Sequence, residues 1–200
     1  MPVLIGAKRE SNFTDPIGML GDCHGRIVRF LQVLVTPSSQ ASGGPLSPEQ
    51  RSALATSLLY FREAAPKHTA DEEESLFPRL KRLHAPEIAA VVAKVDALQE
   101  DHACADRHHG EVDRLGQLWL QRGQLSTDEA ARFSILVNQL SDLYRRQIGI
   151  EDREVFPFAA TALTAVDREA IGAEMAARRG LGSGNLPEVQ AHTSAVSGAE

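Results

Sequence analysis

An all-α protein, an antiparallel up-down four-helix bundle followed by a short fifth helix, is what this 200-residue chain predicts. Three observations carry that expectation. No stretch alternates apolar and polar residues with period two, and no β-branched cluster stands between turn signals, so the sequence offers no candidate strand. Helix-start signals precede long apolar-periodic stretches at Asp15-Pro16, at Ser47-Pro48 and at Ser126. The later stretches are separated by very short turns, which makes sequential helices antiparallel neighbours.

Taken in order, Asp15 is an N-cap with Pro16 in the first helical position, and the apolar residues that follow run through Val35 until Pro37 ends the helix. TPSSQASGGPLSP is a loop by composition, and Ser47-Pro48 opens a second helix reaching about His84, with kinks predicted at Pro66 and Pro78. A third helix starts at Pro86 and runs to Gly123, whose missing Cβ suits a left-handed cap. STDE, with Ser126 as cap and Glu129 three places on, opens a fourth helix that continues to about Pro157. A fifth covers about Ala165 to Arg179. The organisation is an N-terminal extension over 1–14, one bundle domain over 15–180, and a small, polar, mobile tail over 181–200 that strands His192.

Composition narrows the function. A net charge of −6 provides no broad cationic surface for nucleic acid or anionic lipid. The apolar start VLIGA is too short for a signal peptide, and no run of about 18 apolar residues occurs, so neither secretion nor a membrane span is expected. Two cysteines, Cys23 and Cys104, do not make a disulfide framework and read as reduced thiols in a cytoplasmic protein.

The unusual residues lie where leucines belong. His68 and Glu72 are four apart, about 40° around one helix face and roughly 6 Å along it, so they can grip one ion together. Folding the second and third helices about residues 85 and 86 brings position 102 level with about 69, and His102 joins the layer. Folding the third and fourth about 124 and 125 sends 102 to Gln147, with Glu151 one turn further. His24 on the first helix completes a candidate ring from four helices. Imidazoles and carboxylates inside a bundle cost several kcal/mol unless paired or metal-bound.

The stretches DPIGMLGDCHGRI, HTADEEESLFP, EDHACA and QIGIEDREVFP together resemble the hemerythrin-like, or HHE cation-binding, family over most of residues 15 to 160. The resemblance implies metal ligands at His24, His68, Glu72, His102 and Glu151, with Glu72 and Glu151 bridging two irons. It also marks a departure. Where the family usually has histidine four residues before Glu151, this chain has Gln147, a neutral and weak ligand, so one metal position is expected to be weaker, water-filled or empty.

Asp106, four residues after His102, is a candidate further ligand, and Glu63, His109 and Tyr144 form a candidate outer polar layer or displaced second site. Tyr144 also stands one turn before Gln147, within reach of a hydrogen bond into the site. Asp71, Glu73 and Glu74 read as a solvated acidic face, and His84 as a surface residue. Gly18, Gly21, Gly25 and Gly149 each cost a helix about 1 kcal/mol relative to Ala, which points to close helix packing or, at Gly25 and Gly149, to room for a small molecule.

The expected function is therefore a cytoplasmic protein holding one or two non-haem iron ions, with zinc or manganese as alternatives, that binds or senses oxygen, peroxide or iron itself. The alternatives are an iron-dependent peroxidase, catalase-like or ferroxidase enzyme, and a non-catalytic, metal-responsive interaction module. The expected partners are metal ions and a small ligand such as oxygen or peroxide, without nucleic acid or membrane.

Overall fold

The computed structural model describes residues 11–83 and 88–181, and all its regular structure is helical. Helix α1 (Pro16–Ala41) is capped by Asp15, whose carboxylate accepts the Gly18 N–H at 3.1 Å. Then come α2 (Pro48–Glu63), α3 (Ala65–Ala70), a π-helical turn π1 (Asp71–Leu76) and α4 (Phe77–Lys81), which together make the second arm of the bundle. Helix α5 (Ile88–Arg122) is the third arm. Helix α6 (Thr127–Ile150), a second π turn π2 (Glu151–Val155) and α7 (Phe156–Ala162) form the fourth. Helix α8 (Ala165–Arg178) follows and packs back on π1 and α1. Reciprocal capping boxes open α2, α6 and α8 at Ser47–Gln50, Ser126–Glu129 and Thr164–Asp167.

The prolines act differently from expectation in the first and fourth arms. Pro37 does not end α1; it is buried inside it, and the helix continues to Ala41 before Ser42 turns left-handed at φ 46°. Packing of the Leu34–Pro37 face overrides the lost backbone bond. Pro157 likewise sits in the first turn of α7, where its missing N–H is tolerated, and the arm runs on to Ala162. The second arm is interrupted near both expected prolines, Pro66 and Pro78. The expected helix start at Pro86, the surface placement of His84 and the tail beyond Leu181, with His192, lie outside the described residues.

Two apolar cores result. One gathers Leu31, Leu58, Trp119, Phe133 and their neighbours; the other gathers Leu20, Phe77, Leu98, Val155 and Met175. On every arm the polar residues fall between them: His24 between Leu20 and Ile27, His68 and Glu72 between Ala65 and Leu76, His102 between Leu98 and Ala105, and Gln147 and Glu151 between Tyr144 and Val155.

The glycine expectation is corrected at two positions: Gly18 and Gly149 do have close neighbours, the Asp15 carboxylate and the Arg153 guanidinium, but Gly21 and Gly25 do not. A Cβ at Gly21 or Gly25 would meet nothing within 4 Å, so neither is there for close packing. Close approach between elements occurs at Gly116 against Leu58 and at Gly172 against the Phe13 carbonyl. Gly21→Ala and Gly25→Ala should each stabilise the protein by about 0.5–1 kcal/mol, read as a raised urea midpoint. A lowered midpoint for Gly25→Ala would show that the position is reserved for something else.

Candidate metal centre

The two π turns carry the two carboxylates of interest, Glu72 and Glu151. Phe77 N–H bonds the carbonyl of Glu72, five residues back, and Phe156 N–H bonds that of Glu151 in the same way. Pro78 and Pro157 have no N–H for the bonds an α register would make to Glu74 and Arg153, so the wider register replaces it. The repeated pattern, Glu followed five residues later by Phe-Pro, is the sequence signal of both turns.

Each π turn then presents two acids with separate tasks. Glu72 points into the bundle, and Glu73 turns to α5, its Oε1 2.9 Å from Nδ1 of His102. Glu151 points inward, and Asp152 turns to α1, its Oδ1 2.7 Å from Nδ1 of His24. The carboxylate partner fixes each ring so that Nε2 faces the cluster. His68 stands four residues before Glu72, and Gln147 stands four before Glu151. The two halves match in the roles of these residues, with Glu73 answering to Asp152, except at the His68 and Gln147 pair.

The inward groups divide into two donor sets that share Glu72. Glu72 Oε1 lies 3.4 Å from His68 Nε2 and 3.9 Å from His24 Nε2, while Glu151 Oε2 lies 3.1 Å from His24 Nε2. On the other side, His102 Nε2 is 3.5 Å from Glu72 Oε2 and 3.8 Å from Glu151 Oε1. His24, His68 and Glu72, and separately Glu72, His102 and Glu151, bring ligand atoms within 4.8 Å of one another. All five, and Gln147, are at most 9% exposed.

Both oxygens of Glu72, Oε1 of Glu151, Nε2 of His24, Nδ1 of His68 and both amide atoms of Gln147 have no hydrogen-bond partner in the protein. So many orphaned buried polar atoms would be costly in a purely structural core. Imidazole nitrogens and carboxylate oxygens without thiolate fit iron, manganese or zinc.

A family model, the hemerythrin HHE cation binding domain, matches residues 15–159. The chain belongs to the hemerythrin HHE cation-binding family. It is also similar to a protein of Haemophilus influenzae described as an uncharacterized protein, 26% identical over 177 residues that make up 88% of this chain and 96% of that one. All regular structure among its described residues is helical, and no described helix is long and apolar enough to cross a membrane.

Within this hemerythrin domain the electrostatics are those of a site with too much negative charge for its burial. Burial alone would depress His24, but its bond to Asp152 and its contacts with Glu151 and Glu72 outweigh that and hold its pKa at about 11. Burial, then the charge of Glu151, pushes Glu72 up to about 8. Burial, then the positive character of His24 and His102, keeps His68 well below its ordinary range, neutral and free to donate a lone pair.

The remaining predicted residues lie elsewhere. Asp106 is exposed and outside both donor sets, at the lip of a cleft of about 410 Å³ that reaches His102. His109 also lines it, stacked on Phe61 at 4.5 Å, with Nε2 3.1 Å from the Tyr144 hydroxyl. Burial lowers His109 to about 4 and raises Tyr144, so the two share their hydrogen bond as neutral groups. Glu63 is exposed at the end of α2 and does not line the cleft, so the grouping of Glu63 with His109 and Tyr144 is not formed.

Nor is the acidic run a solvated face. Asp71 is fully buried against Arg178 and Arg179, and Glu73 holds His102; Glu74 alone is largely exposed, and it too pairs with Arg178. Helical spacing put these residues off the site, but not which of them α8 would cover. Glu73 and Asp152 are the functional residues sequence reasoning missed, and their shared place directly after Glu72 and Glu151 was the available signal.

Proposed function

We propose that this cluster is a non-haem iron centre with two unequal positions, serving to bind or sense oxygen or peroxide. His24 and His68 would hold one ion together with the shared carboxylates Glu72 and Glu151, and His102 would hold the other with the same carboxylates and Gln147. The observation that carries the reading is Glu72, whose two buried, unpartnered oxygens face different histidines. Iron bound there supplies one-electron and oxygen chemistry. The chain supplies imidazoles and carboxylates, ring orientation through Asp152 and Glu73, and a site largely closed to water. Gln147 leaves the His102 side short of an imidazole, and the cleft beside His102 gives a small ligand access on that same side. Two free cysteines suit a reducing compartment, and we place the protein in the cytoplasm.

The cleft also favours a second reading, iron-dependent peroxide turnover or ferroxidase activity, with the Tyr144–His109 pair beside the path. Anaerobic titration with iron(II) separates the two. Two unequal binding steps are expected, followed by a charge-transfer band that comes and goes with oxygen; sustained consumption of peroxide would favour the enzyme. Because His24 and Glu72 are held protonated near pH 7, binding should release about two protons, and affinity should rise with pH. Calorimetry in buffers of different ionisation heat measures that release. A chain that takes up no iron overturns the reading.

A further inference from the structure

Neither carboxylate oxygen of Glu72 has a hydrogen-bond partner, and the nearest donors are the Nε2 atoms of His68 and His102 at 3.4 and 3.5 Å. The position of Glu72 therefore depends on the backbone of π1, and π1 is gripped from α8, whose residues lie beyond the 15–159 family match. Asp71, one peptide before Glu72 and fully buried, takes Arg178 Nη1 on Oδ1 at 2.9 Å and Arg179 Nη2 on Oδ2 at 2.6 Å. Arg178 continues to Ser75 Oγ at 2.8 Å and to Glu74 Oε2 at 3.1 Å. Arg79 completes the enclosure, donating to the Ser75 carbonyl at 2.8 Å and clasping Glu174 of α8 at 2.7 and 3.0 Å.

We propose that the Asp71–Arg178–Arg179 cluster makes α8 a positioning strap for the Glu72 carboxylate, so that a helix outside the matched domain sets the affinity of the cation positions. The inference rests on the reading of Glu72 as a shared ligand. Its physical basis is directness. Charge-assisted bonds to a buried carboxylate are strong and directional, and they fix the residue adjacent to the ligand. Ligand geometry matters at the scale of about 0.5 Å. Glu73 on the other flank is held by His102, so both neighbours of Glu72 are anchored to separate elements while Glu72 itself remains free to face the cations. Asp71, Arg178 and Arg179 are positioning residues and touch no ligand atom of the cluster.

Cobalt(II) titration of the full chain against a competing chelator, with the visible d–d bands recorded, tests this. Arg178→Ala/Arg179→Ala should weaken cobalt binding by about 10–100-fold and shift the bands, as loss of an outer support does at other metal sites. Glu174→Ala removes a docking contact of α8 that does not touch Asp71; it should lower thermal stability yet leave affinity and bands as in the parent. Arg179→Lys, which keeps the charge and loses the two-pronged grip, should lie between. Parent-like affinity and bands in the folded double variant overturn the proposal, as does an equal loss of affinity in Glu174→Ala. If the double variant does not fold, Arg179→Lys decides by the same criterion. Absence of cobalt uptake by the parent chain is a separate outcome: it removes the ligand role of Glu72, and this proposal with it.

Discussion

Glu72→Gln should strip the protein of cation at both proposed positions and leave the metal-free chain more stable than the parent. The two effects share one cause. Glu72 is the group common to both donor sets, and an amide offers one weak oxygen in place of two charged ones. In the metal-free protein that same carboxyl is a burden, because burial and Glu151 raise its pKa from 4.5 to about 8. The folded state keeps a proton that the unfolded chain releases, so stability falls as pH rises from 4.5 to 8. Glutamine has no such proton. The variant should exceed the parent by about 2–3 kcal/mol at pH 7 and by almost nothing at pH 4.5. Urea unfolding in chelator at both pH values, beside metal analysis, measures both effects. Retained cation at parental affinity, or a variant less stable at pH 7, would count decisively against the shared-ligand account.

Gln147→His should tighten the weaker position by about a hundredfold, the equivalent of ~3 kcal/mol, and leave the stronger one unchanged. The substitution makes the correspondence between the two halves complete, since His68 already occupies the matching place before Glu72. The Gln147 amide is buried with both polar atoms unpartnered, so an imidazole there displaces no existing protein hydrogen bond. Stepwise cobalt(II) or iron(II) titration gives the two affinities separately. A titration identical to the parent's would mean that residue 147 does not face a cation.

Most of the architecture was legible because it is written in local chemistry. The caps at Asp15, Ser47 and Ser126 act on backbone groups within three residues, and each does what its sequence says. The layer of His68, Glu72, His102 and Gln147 was legible for a related reason: short turns between long helices fix the register, and burial of polar groups marks the depth. Pro37 was not legible, because whether a helix continues through proline depends on the packing of its other face. The lack of close packing at Gly21 and Gly25 was not legible for the same reason, since the open space beside them is a property of their neighbours.

The sequence by itself determined a helical bundle, its arms and the residue types that converge at mid-height. The tertiary structure alone decided the division of labour within the acidic runs: Glu72 turned inward, Glu73 and Asp152 behind the histidines, Asp71 under the arginines of α8. Helical periodicity assigns a direction around one axis, whereas a role depends on what another helix places in that direction. The π turns add a second reason, since widening the register by one residue redirects the side chains that carry the chemistry.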